Sequence, residues 1–242
     1  MVSTTLRHYD RLYYRPDVTM KGRNDVGVLT LAGSKGGCGK STLARSVTAL
    51  LAIEGASFAV IDADPNRAVE RWLTSIYEGP PVTHRAEDNE DKLAHLIAEL
   101  RDQYDLVIVD TAGFENLGSS VAIASADAVL IPCKSSEADL YEARTTSNKV
   151  KSLAVTTRRS IPAFVVLNSV RTTAVAAHAA QQIAEAGLSR LEASLGHRAD
   201  YETMTHSGRL PTSGAAHREV VALVQELRQR GAMPSVRQVV GS

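Results

Sequence analysis

Short apolar runs rich in β-branched residues alternate along the chain with longer stretches whose apolar residues recur every three or four positions. The short runs predict strands at residues 26–32, 57–62, 106–110, 128–132 and 163–168. The longer stretches predict helices at residues 41–54, 68–76, 91–103, 138–154, 174–185 and 215–230. Because strands and helices alternate, we expect an α/β fold: a doubly wound, mostly parallel sheet with helices on both faces.

The length of the chain, 242 residues, suits one such domain, which we place at residues 26–242. Residues 1–25 are polar, show no sustained period and are too few for a separate helix-turn-helix domain. We interpret them as an N-terminal extension. With Tyr13, Tyr14 and Arg15, this extension is either a docking element or a disordered tail.

Hydropathy and cysteine content indicate where such a protein works. No apolar run approaches the roughly 20 residues of a membrane-spanning helix, and residues 1–25 lack the apolar core of a secretory signal. The two cysteines, Cys38 and Cys133, do not form the disulfide framework of a secreted domain. We therefore expect a cytoplasmic protein that does not associate with a membrane.

The formal net charge of zero argues against a globally basic nucleic-acid binder. The charges are nevertheless unevenly placed: acidic residues dominate residues 85–115, whereas residues 144–171 carry basic side chains and no carboxylate. Two basic groups are candidates for DNA contacts, and the alternative is that both are solvated helix faces. The first group is Arg144, Lys149, Lys151, Arg158 and Arg159, and the second is Arg198, Arg218, Arg228 and Arg230.

A glycine-rich segment, GSKGGCGKST at residues 33–42, joins the first predicted strand to the first predicted helix. It matches a phosphate-binding loop, in which glycine lets successive backbone N–H groups surround phosphate oxygens at a helix N-terminus. Lys40 supplies charge to the β- and γ-phosphates, and Ser41 a hydroxyl to Mg²⁺. The strict pattern has glycine at the position of Ser34. The predicted ATP-binding residues of the loop are Gly36, Gly37, Cys38, Gly39, Lys40, Ser41 and Thr42.

Acidic residues stand at the ends of two more predicted strands. Asp62 and Asp64 follow the second strand, and Asp110 ends the strand of residues 106–110. Ligands of such sheets bind beyond the carboxyl ends of the strands, so these residues and the loop belong to one predicted site. Asp110 fits the carboxylate that holds Mg²⁺ through water, and the alternative is an acid that only ends the strand in a turn.

The glycine-rich loop carries a second lysine, Lys35, and in this it resembles the deviant phosphate-binding loop of the ParA/MinD family of ATPases. The resemblance covers about residues 26–230 and is nearest to small plasmid-partition ParA and VirC-like members. It implies that Lys35 reaches the nucleotide of a partner subunit, so that ATP bridges a homodimer. The alternative is a solvated loop lysine.

The same resemblance implies roles for four further residues. Asp64 orients the attacking water, which fits a reaction catalysed mostly by positioning. Asp62 supports the Mg²⁺ shell or the loop. The alternative is that Asp62 or Asp64 only caps the following helix. Gly113 brings a backbone N–H close to the γ-phosphate, and Asn168 meets the adenine ring.

We therefore expect a Mg²⁺-dependent ATPase that dimerises with ATP, binds DNA without sequence preference and is associated with the nucleoid. Its expected task is the partition of plasmid or chromosomal DNA with a ParB-like or analogous adaptor. One alternative is the positioning of a protein cargo or a transfer complex. Another, from a different class, is a metabolic ligase of the dethiobiotin-synthetase type.

Two related classes fit the sequence less well. In a carrier like the nitrogenase iron protein, each subunit supplies two cysteines to an iron–sulfur cluster, but Cys38 lies inside the phosphate loop. A MinD-like membrane cycler needs a basic amphipathic C-terminal helix. Residues 235–242 are too short for this and carry one charged side chain.

Overall fold

The computed structural model describes residues 27–113, 116–171 and 173–235. The predicted extension at residues 1–25 and Val26, the first residue of the first predicted strand, lie outside the described residues. The strands are β1 (Val28–Leu31), β2 (Phe58–Ala63), β3 (Thr83–Ala86), β4 (Leu106–Thr111), β5 (Ala128–Cys133), β6 (Ala163–Val170) and β7 (Arg190–Gly196). The helices are α1 (Lys40–Ile53), α2 (Ala68–Ser75), α3 (Glu90–Gln103), α4 (Leu117–Ser125), α5 (Glu137–Thr157), α6 (Thr173–Glu185), α7 (Ala199–Ser207) and α8 (Gly214–Gln229).

The seven strands form one parallel sheet in the order β3-β2-β4-β1-β5-β6-β7. The predicted doubly wound sheet is therefore confirmed, and it is parallel throughout. β1 lies between β4 and β5, where Leu31 is aligned with both Asp110 and Leu130. Asp62 of β2 is aligned with Asp110 of β4. This register brings the carboxyl ends of β1, β2 and β4 together at one edge, where ligands of such sheets bind.

Both faces of the sheet are buried, as the near-continuous apolar strands require. Successive side chains of a strand point to opposite faces. Leu29 and Ile108 pack on the face that α1, α2 and α8 cover, whereas Val28 and Val109 pack on the face that α3 and α4 cover. Near β5 and β6, that second face is covered by α5 and α6. Among the described residues, no helix is both long and apolar enough to cross a membrane.

Every predicted strand and helix is present, with ends within about three residues of the prediction. Four short elements were missed: β3, β7, α4 and α7. β3 is a polar edge strand, THRA, whose residues remain partly exposed, so no apolar run marks it. β7 is the other edge strand, and only Leu191 and Leu195 of its seven residues are buried. The helices α4 and α7 lack a clear apolar period: α4 consists mostly of small and apolar residues, and α7 buries only Tyr201 and Met204.

Candidate nucleotide-binding site

The glycine-rich loop connects the carboxyl end of β1 to the first turn of α1. Gly37 and Gly39 have φ values of 77° and 108°, in a region that residues with a side chain rarely adopt. Gly39 precedes α1 and provides no side-chain cap. Asn89 and Ser136, in contrast, cap α3 and α5 with their side chains. The first N–H groups of α1 therefore remain available to an anion.

Lys40 is buried, and its ammonium group lies inside the loop. Its Nζ is 3.3 Å from the carbonyl oxygen of Gly33 and 3.4 Å from that of Lys35. Neutral carbonyl groups bind an ammonium less strongly than phosphate does, because the ion pair strengthens the hydrogen bond. Phosphate oxygens can thus replace these carbonyl groups as the partners of Lys40.

A cleft of about 550 Å³ opens beside the loop, which is within the usual range for small-molecule pockets. Its walls come from the loop and the start of α1, from the segment after β2 and from the segment after β4. The lining residues are Gly36, Gly37, Gly39, Lys40, Ser41, Thr42, Asp64, Pro65, Asn66, Ala68, Ala112, Gly113 and Asn116. The cleft therefore brings together most of the residues that the sequence predicted for the phosphate and Mg²⁺ site.

Asp110 lies beneath the cleft at the end of β4, with no exposed surface. Neither carboxylate oxygen accepts a hydrogen bond from any residue that the structure describes. Burial raises the pKa of Asp110 to about 7, and the nearby Ser41 hydroxyl and Lys40 ammonium oppose this increase only in part. A buried carboxylate without a partner, next to a serine hydroxyl, fits the protein side of a Mg²⁺ site.

Asp62 caps the helix that follows β2, which is the alternative that the sequence left open. One carboxylate oxygen accepts the N–H groups of Val69 and Glu70 at 2.8 and 2.9 Å, and the other accepts that of Asp64 at 3.1 Å. Burial raises the pKa of Asp62, while these N–H groups act in the opposite direction. Its implied support of Mg²⁺ or of the loop stays a prediction.

Asp64 lies in the wall of the cleft, as a residue that orients water must. Its Oδ1 accepts the N–H of Asn66 at 2.8 Å, which fixes the carboxylate relative to the segment after β2. Gly113 lies across the cleft, close to the loop: a Cβ added there would be 3.5 Å from the carbonyl oxygen of Ser34. The positions of both residues are compatible with their implied roles, which stay predictions.

Besides Asp62 and Asp110, three more predicted residues do not line the cleft: Lys35, Cys38 and Asn168. Lys35 is 56% exposed, and its Nζ lies 3.9 Å from Asp139 of α5. The side chain of Cys38 is buried, and the Asn168 amide donates to the Cys38 carbonyl oxygen. The bridging role of Lys35 and the adenine contact of Asn168 stay predictions.

Sequence reasoning missed three residues at the site. Asn116 lines the cleft and also caps α4 by accepting the Gly118 N–H at 2.7 Å. Arg45 of α1 donates to the Ala68 carbonyl oxygen at 2.7 Å and is close enough to interact electrostatically with Asp110. Ser34, where the strict pattern has glycine, donates a hydrogen bond to the Glu142 carboxylate of α5. The glycine-rich pattern marks Ser34 only as a departure, and no local motif marks Arg45 or Asn116.

Similarity to known proteins agrees with this geometry. The sequence model of the VirC1 protein family matches residues 26–239, almost the whole length of the fold. The chain belongs to the VirC1 family. The fold, the loop and this match together confirm the predicted membership of the broader ParA/MinD group of proteins.

Three curated relatives of this VirC1-family chain differ in name and in how much of the sequence they share with it. It is 32% identical to the virC1 protein of Rhizobium radiobacter over 149 residues, which are 59% of this chain and 64% of that protein. It is 35% identical to protein ParA of Rhizobium radiobacter over 107 residues, or 44% and 48% of the two chains. Both matches span less than two thirds of the relative. The maintenance of carboxysome distribution protein A of Halothiobacillus neapolitanus is 28% identical over 189 residues, which are 76% of this chain and 86% of that protein.

Among solved structures, the chain resembles an ATP complex of a Cyanothece McdA variant, with a TM-score of 0.70. The similarity covers 89% of this chain and all of the other at 17% identity. At this identity the likeness establishes the fold alone.

Proposed function

We propose that this VirC1-family protein is a Mg²⁺-dependent ATPase that dimerises with ATP, binds DNA without sequence preference and positions a DNA cargo. The observation that carries the proposal is Asp110, a buried carboxylate without a hydrogen-bond partner among the described residues, beside an uncapped helix start. A protein that only needed this fold would have no use for an unpaired buried acid, because its burial lowers stability.

Binding begins at the loop. The N–H groups at the start of α1 bind phosphate oxygens, and Lys40 exchanges the Gly33 and Lys35 carbonyl oxygens for the β- and γ-phosphates. Ser41 and Asp110 would hold Mg²⁺, Asp110 through water. The ion would supply positive charge to the phosphoryl group as the bond to ADP breaks.

Hydrolysis needs an oriented water, and Asp64 is the residue in the cleft wall that can orient it. The Asn66 N–H fixes one carboxylate oxygen of Asp64, which leaves the other oxygen to accept a hydrogen bond from water. Positioning of this kind accounts for most of the catalysis of phosphoryl transfer. Gly113 contributes the backbone N–H that approaches the γ-phosphate.

Dimerisation with ATP depends on Lys35. This side chain does not line the cleft of its own subunit, is more than half exposed and, among the described residues, forms one long ion pair, with Asp139 at 3.9 Å. A pair this long, with an exposed lysine, contributes little energy, so Lys35 can leave it at low cost. It is thus available to bind the nucleotide of a partner subunit.

The helix α5 presents the better surface for DNA. Three residues of the second predicted group are already neutralised: Arg198 pairs with Glu219 at 2.6 Å, Arg228 pairs with Glu54 and Arg230 pairs with Glu226. In the first group, Arg159 pairs with Asp127. Three exposed basic residues of the first group form no ion pair within the described ranges, namely Arg144, Lys151 and Arg158, against one of the second group, Arg218.

The three basic residues lie at intervals of seven positions along α5 and its C-cap, which places them on one side of the helix. Like-charged side chains on one side of a helix fit the phosphate backbone, which carries no sequence information. We propose that the cargo is a plasmid or chromosome region that a ParB-like adaptor joins to the protein, at the nucleoid. Similarity to protein ParA of Rhizobium radiobacter supports a DNA cargo.

A protein cargo is the second candidate, and similarity to the carboxysome distribution protein favours it. Nucleoid association would be common to both, whereas the adaptor and the cargo would differ. The exposed apolar residues Tyr141 and Val155, on the same helix as the basic residues, are available to such an adaptor.

The proposal is tested by anisotropy of a labelled random-sequence duplex with Mg²⁺ and ATP, ADP or no nucleotide. We expect the wild type to bind the duplex in the presence of ATP but not with ADP or without nucleotide. The Lys40→Ala variant should not bind the duplex in any of these states. Nucleotide-independent binding, or no binding in any state, would contradict the DNA role. If ATP is hydrolysed only when a small metabolite is added, the ligase alternative is correct instead.

A further inference from the structure

The strand β6 is irregular towards its carboxyl end, which lies at the same edge of the sheet as the nucleotide site. It pairs regularly with β5, but its register with β7 shifts between Val165 and Leu167 and again between Leu167 and Val170. Ser169, inside the second shift, has a φ of 56°, in the left-handed region that residues with a side chain rarely adopt. Irregularities of this kind turn a side chain towards a new neighbour, and they are frequent beside active sites.

The side chain that this irregularity orients is Asn168. It is 6% exposed, and its Nδ2 donates to the carbonyl oxygen of Cys38 at 2.8 Å. The same amide lies against Gly39: a Cβ added to Gly39 would be 1.8 Å from Nδ2. Asn168 therefore contacts the two residues that immediately precede Lys40.

These two residues decide where the loop enters α1. The Gly39 carbonyl oxygen accepts the first hydrogen bond of the helix, from the Leu43 N–H at 3.0 Å. With Cys38 and Gly39 held in place, the N–H groups at the start of α1 keep their direction before any ligand binds. A loop that is ordered beforehand loses less conformational entropy on binding, which increases affinity.

We propose that Asn168 is a positioning residue of the phosphate loop: it holds the loop in its phosphate-binding shape and acts on the phosphates of any nucleotide alike. This inference rests on the proposed nucleotide-binding function. It differs from the adenine contact that the sequence resemblance implies, because a contact with the base would act on ATP and not on a ligand without a base.

The first test compares three ligands by calorimetry: ATP, GTP and inorganic tripolyphosphate, each with Mg²⁺. The Asn168→Ala variant should lose affinity for all three by the same factor, about ten-fold for one buried hydrogen bond. Ser169→Ala is the matched control, since its hydroxyl contacts His197 and not the loop. A loss confined to ATP would identify a base contact and overturn the proposal, and so would unchanged affinity for all three.

The second test needs no ligand. Hydrogen–deuterium exchange of the free protein should be faster at residues 36–41 in Asn168→Ala, with wild-type exchange in α3 and α8 and no change in Ser169→Ala. The isosteric Asn168→Asp, which lacks the donor, should show the same local effect. Unchanged exchange in the loop, or global unfolding of both Asn168 variants, would overturn the proposal, because the amide would then serve the fold as a whole.

The two tests also separate this inference from the proposed function. If the wild-type protein binds none of the three ligands, the nucleotide function fails, and the exchange experiment still decides whether Asn168 holds the loop. If the wild type binds ATP and the Asn168 variants behave like Ser169→Ala, only the positioning role fails.

Discussion

Asp62 and Asp110 are aligned with each other on neighbouring strands, but of the two only Asp62 has hydrogen-bond partners in the part of the chain that the structure describes. Asp62 accepts three backbone N–H groups, whereas neither oxygen of Asp110 accepts a hydrogen bond from the described residues. Burial is the largest cause that raises both pKa values, and the negative charge of Asp62 raises the pKa of Asp110 further. Asp62 thus caps α2, whereas Asp110 has no hydrogen-bond partner among the described residues.

Replacing Asp110 with Asn should stabilise the ligand-free protein at neutral pH. The folded pKa, about 7, lies above the ordinary value of 3.8, so the wild type loses stability as pH rises from about 4 to about 7. The loss is on the order of 4 kcal/mol, because one pKa unit corresponds to about 1.4 kcal/mol. Thermal unfolding in EDTA between pH 4 and 8 measures it.

The Asp110→Asn variant should show little of this pH dependence and should gain no stability from Mg²⁺ together with ATP. The wild type should gain stability from Mg²⁺ with ATP. The gain should increase above pH 7, where Asp110 is already ionised and no free energy is needed to remove its proton. An Asn variant with the same slope of stability against pH as the wild type would show that Asp110 is not the group responsible.

Lys35 should be necessary for an ATP-dependent dimer. In an Asp64→Ala background, which prevents turnover, light scattering should show a mass near twice that of the 25.9 kDa chain when ATP and Mg²⁺ are added. Adding Lys35→Ala should leave ATP affinity within a few-fold but keep the mass that of a monomer. Lys92→Ala, an exposed lysine on α3, is the control and should still dimerise. A dimer without Lys35 would refute its bridging role.

Charge reversal on α5 should weaken DNA binding and make it less dependent on salt. The triple variant Arg144→Glu, Lys151→Glu, Arg158→Glu changes exposed side chains and should keep ATPase activity and dimerisation. Since each phosphate contact contributes about 0.9 to the slope of log affinity against log salt, loss of all three should lower the slope by about 3. Arg218→Glu, the exposed arginine of the other group, should bind DNA as the wild type does. The opposite pattern would place DNA at α8.

Glu226 should stabilise the outer edge of the sheet. Its carboxylate accepts the N–H groups of Glu192 and Ala193 in β7, at 3.0 and 2.8 Å. Glu226→Ala should lower the free energy of unfolding by about 1–2 kcal/mol, whereas Gln225→Ala on the same helix should change it little. Chemical denaturation checks both.

The contribution of Glu226 should also depend on pH in a known direction. Burial raises its pKa, but the two N–H groups and Arg230 more than offset this, so the pKa lies below its ordinary value. The stabilisation is therefore present above the pKa of the unfolded chain, about 4.5, and is lost as pH falls through the lower folded pKa. A difference between wild type and Glu226→Ala that grows below pH 4 would contradict this.

Residues with a strong local pattern could be predicted from the sequence, and residues placed by tertiary contacts could not. The order of strand, glycine-rich loop and helix predicted Lys40 and Ser41, which line the cleft, because this pattern lies in consecutive residues. Arg45 was not predicted, since its proximity to Asp110 arises only when α1 packs beside β4. The same holds for the polar strand β3, which pairs with β2 but has no apolar pattern of its own.

Asp62 and Asn168 show which contacts at the site could not be predicted from the sequence. The motif that contains Asp62 is compatible with helix capping and with Mg²⁺ support, and only the positions of the Val69 and Glu70 N–H groups show that it caps α2. The contact between Asn168 and Cys38 joins residues 130 positions apart and depends on a bulge in β6. No pattern in the sequence predicts a bulge of this kind.

The proposed function depends on hydrolysis of ATP at this cleft, and phosphate release by the Asp64→Ala variant tests this most directly. With Mg²⁺ and ATP, the wild type should release phosphate slowly, and Lys40→Ala should neither bind nor hydrolyse ATP. Asp64→Ala should bind ATP with wild-type affinity, measured by calorimetry, and release phosphate at no more than about one hundredth of the wild-type rate. Wild-type turnover by Asp64→Ala would contradict the assignment of this cleft as the catalytic site.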